Sequence, residues 1–133
     1  MEEQLESKVW QRVRGAADPS QELRQCLQKQ GELLGMYRSL GRRGGLGRQL
    51  FEQKSHQIAC LRGLLRVMTG QPVAPPRSPD APADLLRCHR AELQFLGQLK
   101  CWSREGELAA LFGALTDRQS CQCRLLLEIL GTM

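Results

Sequence analysis

At 133 residues the chain can build one hydrophobic core and is too short for two. It carries 23 leucines against six Val plus Ile and three Thr, with aromatics at 5%, which argues against a sheet protein and for an all-α one. The net charge of +5 is mild and spread along the chain, so nucleic acid is disfavoured as a partner, and no apolar run approaches the length of a membrane-spanning helix.

Met1 to Gln4 open polar and acidic, with no hydrophobic region of a secretory signal, so a cytoplasmic location is expected. Residues 1–17 read as a short N-terminal amphipathic helix, with Leu5, Val9, Trp10 and Val13 on one side. Residues 18–133 read as one domain. Asp18 is a suitable N-cap and Pro19 suits the first helical position. The first helix of the domain then carries Leu23, Cys26, Leu27, Leu33, Leu34 and Tyr37 at spacings of three and four, up to Gly41. The stretch Arg38 to Arg48 is rich in Arg and Gly. A phosphate-binding loop would need a strand before it and Lys-Ser/Thr after it, so a solvated helix connection is the better reading.

A second helix is expected over 47–69, with Leu50, Ile58, Leu61, Leu64, Leu65 and Met68, ended by Gly70-Gln71-Pro72. Five of the six prolines fall within 71–82. Such a segment is extended and stiff at about 3 Å per residue, so it reaches about 35 Å. A helix of about 22 residues is about 33 Å long. The match lets this crossover run the length of a helix and return the chain to the same end, which makes the second and third helices parallel. The third helix is expected over 82–102 and the fourth over 105–130, with a turn at Ser103 and Gly106. The six cysteines (Cys26, Cys60, Cys88, Cys101, Cys121 and Cys123) include no CxxC pair, and in a reducing compartment they read as small helical residues.

Glutamine is unusually common, at 14 residues, equal to Asp and Glu together. On a wheel at 100° per residue, each helix places a polar residue inside its apolar stripe. The first offers Gln30. The second offers Gln53, with His56 close by. The third offers Glu92, with His89 one turn before it, and the fourth offers Gln119, with Gln122 beside it. A buried polar group is costly unless it is hydrogen-bonded, so four of them point to one shared polar centre.

These positions resemble the ligand slots of the ferritin-like superfamily, and within it the rubrerythrin-type diiron domains. That family places a Glu on the first and third helices and Glu-x-x-His on the second and fourth. Here the slots read Gln30, Gln53-Lys54-Ser55-His56, Glu92 and Gln119-Ser120-Cys121-Gln122. The segment Leu50 to Gly63 looks like the second helix of short bacterial rubrerythrin-like proteins, and Tyr37 is similar to the family's first-helix Tyr. The resemblance covers about 20–130.

It implies a ferritin-like up-down four-helix bundle with a long crossover between helices 2 and 3. It also implies that Gln30, Gln53, His56, Glu92, Gln119 and Gln122 are vestigial diiron positions. Two of the six ligand types survive, His56 and Glu92, and neutral amides do not offset the charge of two iron ions. The expectation is a metal-free amide network, no catalytic residue and a structural or interaction role, with a second copy or another protein as partner. The alternative is a reduced site for iron or another divalent metal, held by His56, Glu92 and His89, with residual peroxide or iron chemistry. A basic nucleic-acid binder is the third reading. Rubrerythrin activity is not expected, because the CxxC pairs that would deliver electrons are missing.

Overall fold

The computed structural model describes residues 19–104 and 106–132. The expected N-terminal helix and the Asp18 cap lie outside the described residues. The described chain forms four helices and no strand: α1 (Ser20–Gly41), α2 (Gly45–Thr69), α3 (Leu85–Trp102) and α4 (Ala109–Gly131). None is long and apolar enough to cross a membrane.

Glycine sets the first turn. Gly44 and Gly45 take φ of +76° and +60°, a region that side-chain-bearing residues avoid, and the chain reverses within three residues of α1. Gly70 closes α2 in the left-handed conformation, and its N–H donates to the Arg66 carbonyl. Asp84 caps α3, its side chain accepting from the Arg87 N–H at 3.2 Å. This cap is why α3 begins at Leu85 rather than at Pro82. The fourth helix likewise starts later than expected, at Ala109, after Gly106 with φ +105°.

The helices form two antiparallel hairpins, α1 on α2 and α3 on α4, and α2 also packs on α4. Hydrogen bonds from Tyr37 to Glu92 and between Glu22 and Gln98 tie α1 to α3 in antiparallel sense. Around the core the order is therefore α1, α2, α4, α3, with α2 and α3 diagonal and parallel. That direction requires the long crossover over residues 70–84.

The crossover lies along α1. Val73 joins the core, and its carbonyl accepts from Arg62 Nε and Nη2 at 3.1 and 2.8 Å. Further along, a Cβ on Gly31 would collide with Pro76 and the Arg77 carbonyl, and one on Gly35 would collide with the Pro79 carbonyl. The Gly31-x-x-x-Gly35 spacing puts both glycines on one face and gives the crossover its seat. Arg38 donates to the Ser78 carbonyl at 2.9 Å and pairs with Asp80, which Arg42 also reaches at 3.4 Å.

The core has two apolar layers, each drawing on all four helices. One holds Leu23, Leu27, Leu61, Leu65, Leu99, Trp102, Phe112 and Leu115. The other holds Leu33, Tyr37, Leu50, Leu85, Cys88, Leu126 and Ile129. On every helix the buried polar residues fall between the two sets.

Candidate functional site: a buried lysine in an amide and carboxylate cage

Six polar or charged side chains are buried among the described residues: Gln30, Lys54, Gln57, Glu92, Gln119 and Gln122, each no more than 2% exposed. Lys54 is at their centre. Its Nζ donates to Gln57 Oε1 at 2.6 Å, to Glu92 Oε1 at 2.8 Å and to Gln30 Oε1. An ammonium has three N–H donors, and all three are used here. Nζ also stands 5.8 Å from the centre of the Phe95 ring, within range of a cation–π attraction.

Glu92 is satisfied from several sides. Oε1 accepts from Lys54 and from Gln119 Nε2 at 3.1 Å, and Oε2 accepts from the Tyr37 hydroxyl at 3.0 Å. Gln57 Nε2 donates to Gln119 Oε1 at 2.7 Å, and Gln119 Nε2 also donates to the Glu92 backbone carbonyl at 2.8 Å. The network thus runs through all four helices. An isolated buried charge costs many kcal/mol, and only a paired and fully hydrogen-bonded arrangement offsets that cost. Both ions here meet the condition.

The electrostatic consequences follow from burial. Desolvation pulls the Lys54 ammonium below its usual range, while the Glu92 carboxylate opposes that pull. Burial pushes the Tyr37 hydroxyl far above its usual range, reinforced by the charge of Glu92. The Cys88 and Cys123 thiols are each raised to about 11, by burial first and by Glu92 second. Neither is a ready nucleophile at neutral pH.

The inward positions expected on α1, α3 and α4 are buried: Gln30, Glu92, Gln119 and Gln122. Those on α2 need correction. Gln53 and His56 are exposed, and the buried pair is one residue further on, Lys54 and Gln57. The reason is the true stripe of α2, which runs Leu50, Lys54, Gln57, Ile58, Leu61, Leu64 and Leu65. Centring the wheel on Cys60 and Met68, which are only half-buried, rotates Gln53 and His56 inward and sends Lys54 to solvent. The buried partner of Glu92 is accordingly Lys54.

His56 instead lines an open groove of about 450 Å³ between α2 and α4, with Glu52, Gln53, Gln57, Arg118, Cys121 and Gln122. Its Nε2 is 3.7 Å from Cys60 Sγ. His89 is half-buried on α3, and its Nε2 and Gln122 Oε1 are buried atoms without a hydrogen-bond partner.

A diiron carboxylate centre does not fit these side chains. Glu92 is the one buried carboxylate among the described residues, and an ammonium without a lone pair fills the space beside it. His56, Glu92 and His89 do not converge, and among the described residues no three His, Cys, Asp or Glu side chains are grouped to hold a metal ion. What the centre can do is hold four helices in register through one charge-compensated network. Comparison with protein-family models, with curated proteins and with solved structures finds no match to this chain.

Proposed function

We propose that this chain is a non-catalytic helical bundle of ferritin-like, rubrerythrin-like architecture in which a lysine ammonium has taken the part that metal cations play in the resembling family, and that its role is structural or one of interaction. One observation carries the reading: Lys54 Nζ sits in a cage of Gln30, Gln57 and Glu92 oxygens where the four helices meet. The parallel α2 and α3, and the crossover that joins them, support the same architecture. A cage of one carboxylate and two amides matches the single charge of an ammonium and falls short of two divalent ions.

The test is metal content after loading with Fe²⁺, Mn²⁺ and Zn²⁺, in the wild type and in the variant with His56→Ala and Glu92→Ala. The expected result is no stoichiometric metal in the wild type. Stoichiometric metal that disappears in the variant would instead establish a reduced metal site and overturn the metal-free reading.

A further inference from the structure

The crossover contains a feature that the bundle does not require. Residues 71–77 read Gln71-Pro72-Val73-Ala74-Pro75-Pro76-Arg77, a P-x-x-P-x-Arg sequence. The prolines at 72, 75 and 76 favour polyproline II geometry, in which three residues make one turn, and a segment in that conformation has three edges. Domains that read such ligands grip two of these edges with an aromatic-lined groove and leave the third facing away. The two gripped edges would be Gln71 with Ala74, and Pro72 with Pro75. The third edge is Val73 with Pro76.

The burial pattern follows this division. Gln71, Pro72, Ala74, Pro75 and Arg77 are all exposed, whereas Val73 and Pro76 are the half-buried positions. Val73 packs on the core and Pro76 lies against Gly31. The protein therefore holds the segment by the one edge that a polyproline-reading groove does not use. Arg77, two residues beyond the second gripped proline, is exposed and pairs with no carboxylate among the described residues. An open groove of about 980 Å³, lined by Arg24, Gln28 and Glu32 of α1, runs beside the prolines and leaves room for an approaching surface.

The segment is also ordered before any partner arrives. Arg62 holds the Val73 carbonyl at one end, and Arg38 holds Ser78 and Asp80 at the other. Proline fixes φ near −65° at 72, 75 and 76. Pre-ordering removes part of the entropy cost that a free peptide would meet on binding.

We infer that residues 71–77 are a docking site for an SH3-type domain, with Pro72 and Pro75 in its aromatic-lined groove and Arg77 in an acidic pocket beside it. This names a partner class for the interaction role proposed above. It rests on a different part of the molecule, so the metal-loading test and the binding test fail independently.

The experiment is calorimetric titration of the folded full chain, and separately of a free peptide spanning 70–80, into a panel of purified SH3 domains that select P-x-x-P-x-Arg ligands. The full chain should bind at least as tightly as the peptide. Arg77→Ala should weaken binding about tenfold or more, the scale of one lost charge-assisted contact, and Pro75→Ala about tenfold through lost apolar packing in the groove. Pro82→Ala, outside the motif, should leave it unchanged. These substitutions alter exposed side chains, and an unchanged helical circular dichroism spectrum verifies that each variant is folded. The inference is overturned if no domain binds, if the peptide binds and the folded chain does not, or if Pro82→Ala weakens binding as much as Arg77→Ala.

Discussion

Two ion pairs in this protein join similar groups in opposite surroundings. Lys54 and Glu92 meet at 2.8 Å with both side chains fully buried, while Arg38 and Asp80 pair at the surface, 32% and 61% exposed. The buried pair depends on its neighbours. Without Gln30, Gln57, Gln119 and Tyr37, neither ion would recover the hydrogen bonds it gives up in leaving water. The surface pair sits in solvent that would solvate either ion alone, and it serves to tether a crossover already seated on Gly31 and Gly35. The same chemistry therefore specifies helix register in one place and trims a loop in the other.

The largest effect should come from breaking the buried pair. Lys54→Ala leaves Glu92 buried and uncompensated and should destabilise the fold by about 3–5 kcal/mol, measured by urea denaturation. Combining Lys54→Met with Glu92→Gln removes both charges, and the double variant should be markedly more stable than the sum of the single losses implies. Additive losses would mean that the two side chains are not coupled.

The seat of the crossover comes next. Gly35→Ala places a methyl group where the Pro79 carbonyl lies and should cost about 1–3 kcal/mol through overpacking. Gly63→Ala is the control on α2, where a Cβ meets nothing within 4 Å, and it should be neutral or stabilising by up to about 1 kcal/mol. Thermal unfolding of the two variants should therefore shift in opposite senses or in only one of them.

Raising the pH should remove the stability that the two buried thiols contribute before it touches the surface pair. Cys88 and Cys123 titrate near 11 in the folded chain against an ordinary value of 9.0, so the unfolded chain ionises first. The stability they contribute is complete below pH 9 and falls as pH rises through 11. Replacing both by Ala should flatten that part of the stability–pH curve. The smallest effect belongs to Asp80. The hydrogen bond from Arg38 holds its carboxyl below the ordinary range, so its contribution exists above about pH 4 and fades as pH falls through the lowered value. Asp80→Ala should leave the thermal midpoint at neutral pH almost unmoved.

Much of this architecture was legible in the residues. Leucine spacing marks all four helices, and the reach of a proline-rich crossover implies the parallel α2 and α3. The amide-rich interior was legible on three helices, because Gln30, Glu92, Gln119 and Gln122 interrupt apolar stripes. The central cation was not, because a lysine is ordinarily placed in solvent. A signal was nonetheless present. Lys54 continues the spacing from Leu50 to Gln57, Ile58 and Leu61, and a single interior Glu needs a positive partner. The glycine seat under the crossover was also hidden, since Gly31 and Gly35 acquire meaning only once the Pro76 to Pro79 backbone lies over them.

The role proposed for Lys54 Nζ, as the cation of the polar centre, has a spectroscopic readout. Nitrogen-15 NMR of the lysine side chains at neutral pH tests it directly. One ammonium should carry protons that exchange slowly with water, be assigned to Lys54 by its loss in Lys54→Arg, and stay unperturbed by Fe²⁺, Mn²⁺ or Zn²⁺ at stoichiometric concentration. Lysine ammonium protons that all exchange at the rate of free side chains would contradict it.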